Sequence, residues 1–403
     1  MAPPWTTSKK TVSAIPTTND RLSKSRTPIT GYAPPSPPST IDFVPSALFA
    51  SMAKCAAIRR VAPAVSAALV TSSAALLGNL VDDAGSSFDL SSDFEAIADF
   101  ERTGLTGRLG GGFADLCMAK MGYAWLDLSS ELLPGLAGRL GDFIYDGPAT
   151  GGHGVVLAEA KATNASSVTA GDVKGIADRG YRNQVDPHVG AVTVPGAGKI
   201  FHGYAVCLGA APGVRGGLGH IVETAVATSP GGSGGTPAGG GSPVATTVGA
   251  RLAIANYRAV FNLIDAPVLY GCLDRLLGSP GPFSEYESQE FLRFRYGDRW
   301  LLTGSDPTFC RWPRGELVPP LMLAEEIAEP LLEQISRILR TKARHWDGLP
   351  PFVLPSLPPI FCPDDAGPAG FRYVLAPDGL ASPVDGYDEM TRRTWTVHGG
   401  LGS

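Results

Sequence analysis

Charge is scarce in this chain. Only 18% of its 403 residues are Asp, Glu, Lys or Arg, and 33 basic against 38 acidic residues give a formal charge of -5. That balance argues against a protein that grips nucleic acid non-specifically, because phosphate contacts need clustered Lys and Arg. It leaves room for an enzyme whose basic groups are local. Cysteine is sparse too. The six cysteines, at 55, 117, 207, 272, 310 and 362, form no Cys-x-x-Cys and no zinc-finger spacing with the six histidines. Dispersed thiols of this kind read as reduced core residues, which favours a cytoplasmic location. No signal-peptide pattern opens the sequence, and no Gly-x-Ser-x-Gly elbow lies near a plausible base.

Long apolar runs are also missing, with one exception. Residues 61–81 carry no charge over a length that would span a bilayer. The stretch is mostly Ala, Ser and Thr and holds Pro63, Gly78 and Asn79, so its hydrophobicity is low for insertion. It reads as an Ala-rich helix outside any membrane, with a membrane or secretion-related segment as the alternative.

What is abundant is glycine and proline, fifty and thirty-five residues, and they punctuate the chain. Residues 1–45 are rich in Pro, Ser and Thr and read as a disordered tail. An Ala-rich helical segment spans 46–85, an α/β core 86–228, a Gly/Ser spacer 229–243, a helical region 244–345 and a Pro-rich segment 346–403. That last segment is expected to wrap the surface. Within the core, helices are expected at 93–102 and at 113–121, the second introduced by Gly110-Gly111-Gly112. Strands follow at 142–146 and 154–163, then a helix at 172–185 and a buried strand at 199–208. Further helices are expected at 248–277 and 321–344. The fold class is α/β.

One pair of strands carries unusual chemistry. Gly141-Asp142-Phe143-Ile144 places an acid at the start of an apolar strand, and Glu159-Ala160-Lys161 follows on the next. Side chains alternate along a strand, so Leu157, Glu159 and Lys161 share one face and Val156, Ala158, Ala160 and Ala162 the other. A hard cation such as Mg²⁺ (or Mn²⁺) takes oxygen ligands, with one or two carboxylates plus water sufficing. Asp142 and Glu159 supply the carboxylates, and the Ala160 carbonyl a third oxygen. Lys161 would orient a nucleophile or stabilise developing negative charge. On the following helix, Val173, Ile176, Ala177, Gly180 and Gln184 fall on one side, turning the Gln184 amide toward the sheet. The competing reading is a solvent-exposed ion pair at a strand end. Asp146 is an alternative acid, though Gly147-Pro148 after it reads as a turn. His153, His188 and His202 have no metal-ligand spacing and read as core or surface residues. Lys174, Arg179 and Arg182 could face a phosphate backbone or simply line a solvated helix face.

Gly-Asp-Phe-Ile, then Glu-Ala-Lys on a strand, then a helix with an inward Gln resembles the PD-(D/E)xK nuclease superfamily over roughly residues 90–210. The resemblance implies a restriction-endonuclease-like αβββαβ core with added C-terminal helices. It also implies Asp142 and Glu159 as metal acids, Lys161 as catalytic lysine and Gln184 as the helix glutamine. Many members carry an acid on the helix before the sheet, for which Glu101 and Asp115 are the candidates. The function implied is metal-dependent phosphodiester hydrolysis on nucleic acid, with DNA ahead of RNA. The C-terminal helices could then serve as a cap, a homodimer surface or a specificity element. The rival is a protein that keeps the fold without the chemistry and acts as a binding or structural component of a defence, secretion or phage-derived system.

Overall fold

Two strands occupy the stretch that composition assigns to a disordered tail: β1 (Lys10–Asn19) and β2 (Thr40–Phe43). The computed structural model describes residues 5, 8–19, 32–136, 138–226, 244–279, 288–304, 321–363, 372–384 and 386–402, so the Gly/Ser spacer 229–243 lies outside the described residues. In β1 alternation overrides composition. Lys10, Val12 and Ala14 are buried while Ser13 and Ile15 are exposed, the pattern of a half-buried pleat rich in β-branched residues. Pro16 is tolerated because β2 pairs with β1 only as far as Ser13, so that edge needs no donor at Pro16.

Helices α1 (Pro45–Ala57) and α2 (Pro63–Leu80) each begin with a proline in the first turn, where its missing N–H costs nothing. Among the described residues, no helix is long and apolar enough to cross a membrane. After the short α3 (Asp93–Ala96), α4 (Asp99–Lys120) runs straight through Gly110-Gly111-Gly112, where the sequence suggested a helix start. Packing explains the glycines. A Cβ at Gly112 would lie 2.4 Å from Met52 Cγ on α1, and one at Gly110 would lie 3.0 Å from the Lys161 carbonyl oxygen. Close approach of α4 outweighs the ~1 kcal/mol that each helical glycine costs.

Next come β3 (Trp125–Leu128), the one-turn α5 (Ser129–Leu132), β4 (Phe143–Asp146) and β5 (Val155–Thr163). Then follow α6 (Ala170–Gly180), β6 (Thr193–Val194), β7 (Gly198–Gly209) and β8 (Leu218–Thr224). The sheet is mixed and eight-stranded, in the order β2-β1-β8-β7-β5-β4-β3, with β6 paired to β7. Strand β3, four buried residues long, escaped the sequence reading. β3–β4 and β4–β5 are antiparallel, whereas β5 and β7 are parallel and joined through α6. Thr169 and Asp172 form a reciprocal cap at the start of α6. A single π-helical turn, Tyr181–Val185, continues it. Val156 and Ala158 pack with α4 in one core and Leu157 with α6 in the other, so β5 is covered on both faces.

The C-terminal half opens with β9 (Val244–Val248), α7 (Ala250–Leu263) and α8 (Pro267–Leu276). The expected helical stretch 248–277 breaks at Asp265, whose φ is +54°, before Pro267 starts the next helix. Then follow β10 (Ser288–Tyr296), β11 (Arg299–Thr303), β12 (Met322–Ala324) and α9 (Glu325–Arg340). The chain ends in β13 (Phe352–Ser356), β14 (Tyr373–Leu375), β15 (Leu380–Pro383), β16 (Glu389–Thr396) and β17 (Gly400–Gly402). Far from wrapping the surface, the Pro-rich segment contributes four strands to a seven-stranded antiparallel sheet ordered β14-β15-β12-β11-β10-β16-β17, and β13 pairs with β9.

Helix α1 links the two halves, packing on α4, α7 and β15. Its Lys54 ammonium is buried against Asp378 at 2.9 Å and donates to the Ala124 carbonyl at 3.2 Å. Asn256 Nδ2 donates to Asp378 at 2.9 Å, while its Oδ1 accepts from the Leu126 N–H on the edge strand β3 at 3.1 Å. One buried polar network thus ties the edge of the first sheet to the second.

Candidate active site

Glu159 and Lys161 sit on the face of β5 that α6 covers. The cover is close: a Cβ on Gly180 would lie 3.3 Å from Glu159 Cγ and 3.5 Å from Lys161 Cγ. Glycine at 180 therefore makes room for both side chains. Glu159 is 0% exposed and the Lys161 side chain 33% exposed, so the pair is no solvated strand end. The ammonium presses directly on Glu159 Oε1. Yet the approach lacks hydrogen-bond geometry, and neither Glu159 oxygen has a hydrogen-bond partner among the described residues. Burial, followed by the negative charge of Asp142, pushes the Glu159 carboxyl up to about 8; Lys161 opposes the rise.

Asp142 lies one residue before β4, just past the Phe143–Ala158 pair, which brings it beside Glu159. Its Oδ2 accepts the Ala160 N–H at 3.0 Å. The side chain thereby continues the β4–β5 ladder where the β4 backbone leaves it. Because one strand residue aims its N–H and C=O to the same edge, the Ala160 carbonyl also points toward Asp142. The two carboxylates approach closely enough for the negative charge of Asp142 to help hold the proton on Glu159.

Gln184 is placed differently from the expectation. It lies on the π-helical turn and donates through Nε2 to the Leu140 carbonyl at 3.2 Å; a backbone group, not a carboxylate, takes its hydrogen bond. The two helix acids also fail to join the site. Glu101 is exposed on α4, across the sheet from Glu159. Asp115 is buried on that same far side, accepting from Tyr145 Oη at 3.2 Å, and burial raises its pKa. Asp146 closes the opposite end of β4, accepting from Gly147 N–H at 2.7 Å and Thr150 Oγ1 at 3.0 Å, the turn role anticipated for it.

The remaining candidates divide. Lys174 pairs with Asp178 at 2.6 Å, and Arg182 Nε donates to the Asp178 carbonyl at 3.2 Å, so both line a solvated helix face. Arg179 has no acidic partner among the described residues. His202 is buried among the rings of Tyr32 and Tyr204, and burial lowers its pKa to about 3, leaving it neutral. His188 donates through Nε2 to the Arg139 carbonyl at 2.9 Å. Sequence reasoning missed that role, and with it Ser129, whose N–H donates to the Asp142 carbonyl at 3.1 Å. The signal for Ser129, a serine directly after a buried strand, is too common to single out.

No group of three or more His, Cys, Asp or Glu converges among the described residues. A cation at this place would therefore draw on two carboxylates, the Ala160 carbonyl and water. The orphaned, buried Glu159 oxygens and the all-oxygen donor set fit a hard divalent ion. Cys55, Cys117, Cys207 and Cys272 are free thiols, the last three of them buried. Comparison with protein-family models, with curated proteins and with solved structures finds no match for this chain.

Proposed function

We propose that the protein is a metal-dependent nuclease that hydrolyses phosphodiester bonds of nucleic acid, with DNA the first substrate to test and the cytoplasm its place of action. The observation that carries this reading is the placement of Asp142 beside the buried Glu159 carboxylate, with the Lys161 ammonium directly on it. With the short α5 and β6 set aside, the order α4-β3-β4-β5-α6-β7, antiparallel pairs first and the parallel pair last, supports a restriction-endonuclease-like αβββαβ core. Asp142 and Glu159 would hold Mg²⁺ or Mn²⁺ with the Ala160 carbonyl. The ion, when bound, supplies Lewis-acid polarisation of the phosphoryl group. Lys161, partly open to solvent, would meet the substrate from the same side and stabilise negative charge as it develops. Arg179 could contact a flanking phosphate.

A second reading has an observation of its own. With Glu159 at 0% exposure and Lys161 lying on its carboxylate, a protein that retains the fold and acts by binding alone, as a component of a larger defence, secretion or phage-derived assembly, would look the same. Incubation with plasmid and single-stranded DNA, each with Mg²⁺ or Mn²⁺, separates the two. Cleavage that Lys161→Ala abolishes supports the nuclease; no cleavage of either substrate with either ion sinks it.

A further inference from the structure

The segment that delivers Asp142 is held with unusual completeness. Four successive carbonyls, from Arg139 to Asp142, each accept a hydrogen bond from outside the segment. His188 Nε2 donates to the Arg139 carbonyl at 2.9 Å, and Gln184 Nε2 donates to that of Leu140 at 3.2 Å. Ser129 takes the other two, its Oγ donating to the Gly141 carbonyl and its N–H to that of Asp142 at 3.1 Å. A carbonyl can only accept, so the His188 proton belongs on Nε2. Two of the donors come from α5. The other two come from the π-helical turn after α6 and the residues just beyond it. Turns of that kind arise where a regular helix would aim side chains wrongly, and they recur at functional sites.

We propose that Gln184 and His188 are positioning residues that clamp the Arg139–Leu140 backbone and thereby hold the Asp142 carboxylate beside Glu159. The proposal rests on the reading of Asp142 as a working acid of the site, but its geometry can be tested without any nuclease activity. Asp142 Oδ2 is the acceptor of the Ala160 N–H, so exchange of that single amide reports whether Asp142 stays in place. The side-chain hydrogen bonds of Gln184 and His188 go to Leu140 and Arg139 and not to Ala160, and a clamp that merely stabilised the fold would slow exchange throughout β5 alike.

The experiment compares wild type with Gln184→Met, His188→Phe, their double variant and His188→Gln by amide exchange. Gln184→Met keeps the shape and removes the donor; His188→Gln restores one. In the double variant the Ala160 amide should exchange about tenfold faster relative to Leu157 and Ala158, a factor on the scale of one or two lost hydrogen bonds. His188→Gln should return it to near the wild-type rate. An Ala160 rate that keeps step with Leu157 and Ala158 in every variant overturns the clamp. Cleavage by the same proteins is then read separately. If exchange responds while wild type cuts no DNA, the clamp stands and the nuclease reading falls. If wild type cuts DNA and the double variant cuts as well, with Ala160 exchange unchanged, the clamp falls and the nuclease reading stands.

Discussion

Replacing Lys161 with methionine keeps the apolar stem and removes the one positive charge that touches Glu159 among the described residues. Its effect should depend on pH in a way no generic destabilisation would imitate. In the folded wild type the Glu159 carboxyl is pushed up to about 8, while an unfolded glutamate ionises near its ordinary 4.5. Between those values the folded state holds a proton that the unfolded state has released, so stability falls as pH rises. Above about 8 the wild-type carboxyl ionises as well and the decline stops. Without the ammonium, Glu159 stays protonated to higher pH and the decline continues at about 1.4 kcal/mol per pH unit. Lys161→Met should therefore track the wild type with a constant offset below about pH 7.5 and fall behind by roughly 2 kcal/mol at about pH 9.5. Urea unfolding in EDTA across that range measures the difference, with Glu159→Gln as a control that removes the whole dependence. An offset equal at both ends of the range would mean that Lys161 and Glu159 do not share charge.

Two further outcomes follow from packing. Lys54→Met strands Asp378, which is 0% exposed, without its buried partner, and should cost about 3–5 kcal/mol in denaturant unfolding; a loss below about 1 kcal/mol would show that the network does not join the halves. Gly112→Ala should destabilise by about 1–3 kcal/mol because its Cβ meets Met52 Cγ at 2.4 Å. Gly107→Ala on the same helix, with nothing within 4 Å, should gain about 0.5–1 kcal/mol. Equal effects at the two positions, read from urea midpoints, would refute the close-packing account of α4.

Much of the site was legible in the primary structure because strand alternation is a local rule. Once 155–163 is a strand, Glu159 and Lys161 must share a face, and an acid opening the neighbouring strand is within reach of them. Strand β5 alternates small and charged residues from Ala158 to Ala162, the helix after it has a 3.6-residue period, and β4 and β7 are apolar runs rich in aromatic and β-branched residues. β3 was missed: its four residues, Trp125–Leu128, follow directly on a helix and are too few to stand out as a run of their own. β1 was hidden by a composition that resembles a flexible tail, and its strand identity depends on the partners β2 and β8 that lie far away in the sequence. The C-terminal strands are short and interrupted by proline, and only their mutual pairing makes them a sheet.

The sequence by itself determined which residues could do chemistry and which would travel together: Asp142 with its strand, Glu159 with Lys161, Gln184 on the next helix. Side-chain spacing along one element is enough for that. Only the tertiary structure decided what each of them meets. It closed Gly180 over Glu159 and Lys161, so that the carboxyl is buried and its proton held well above the ordinary range. It put Asp115 and Glu101 on the wrong side of the sheet, turned Gln184 to the Leu140 carbonyl, and brought in His188 and Ser129, which no motif announced. The physical reason is that desolvation and hydrogen-bond partnership are properties of packed surroundings, and the chain assembles those surroundings from residues dozens of positions apart.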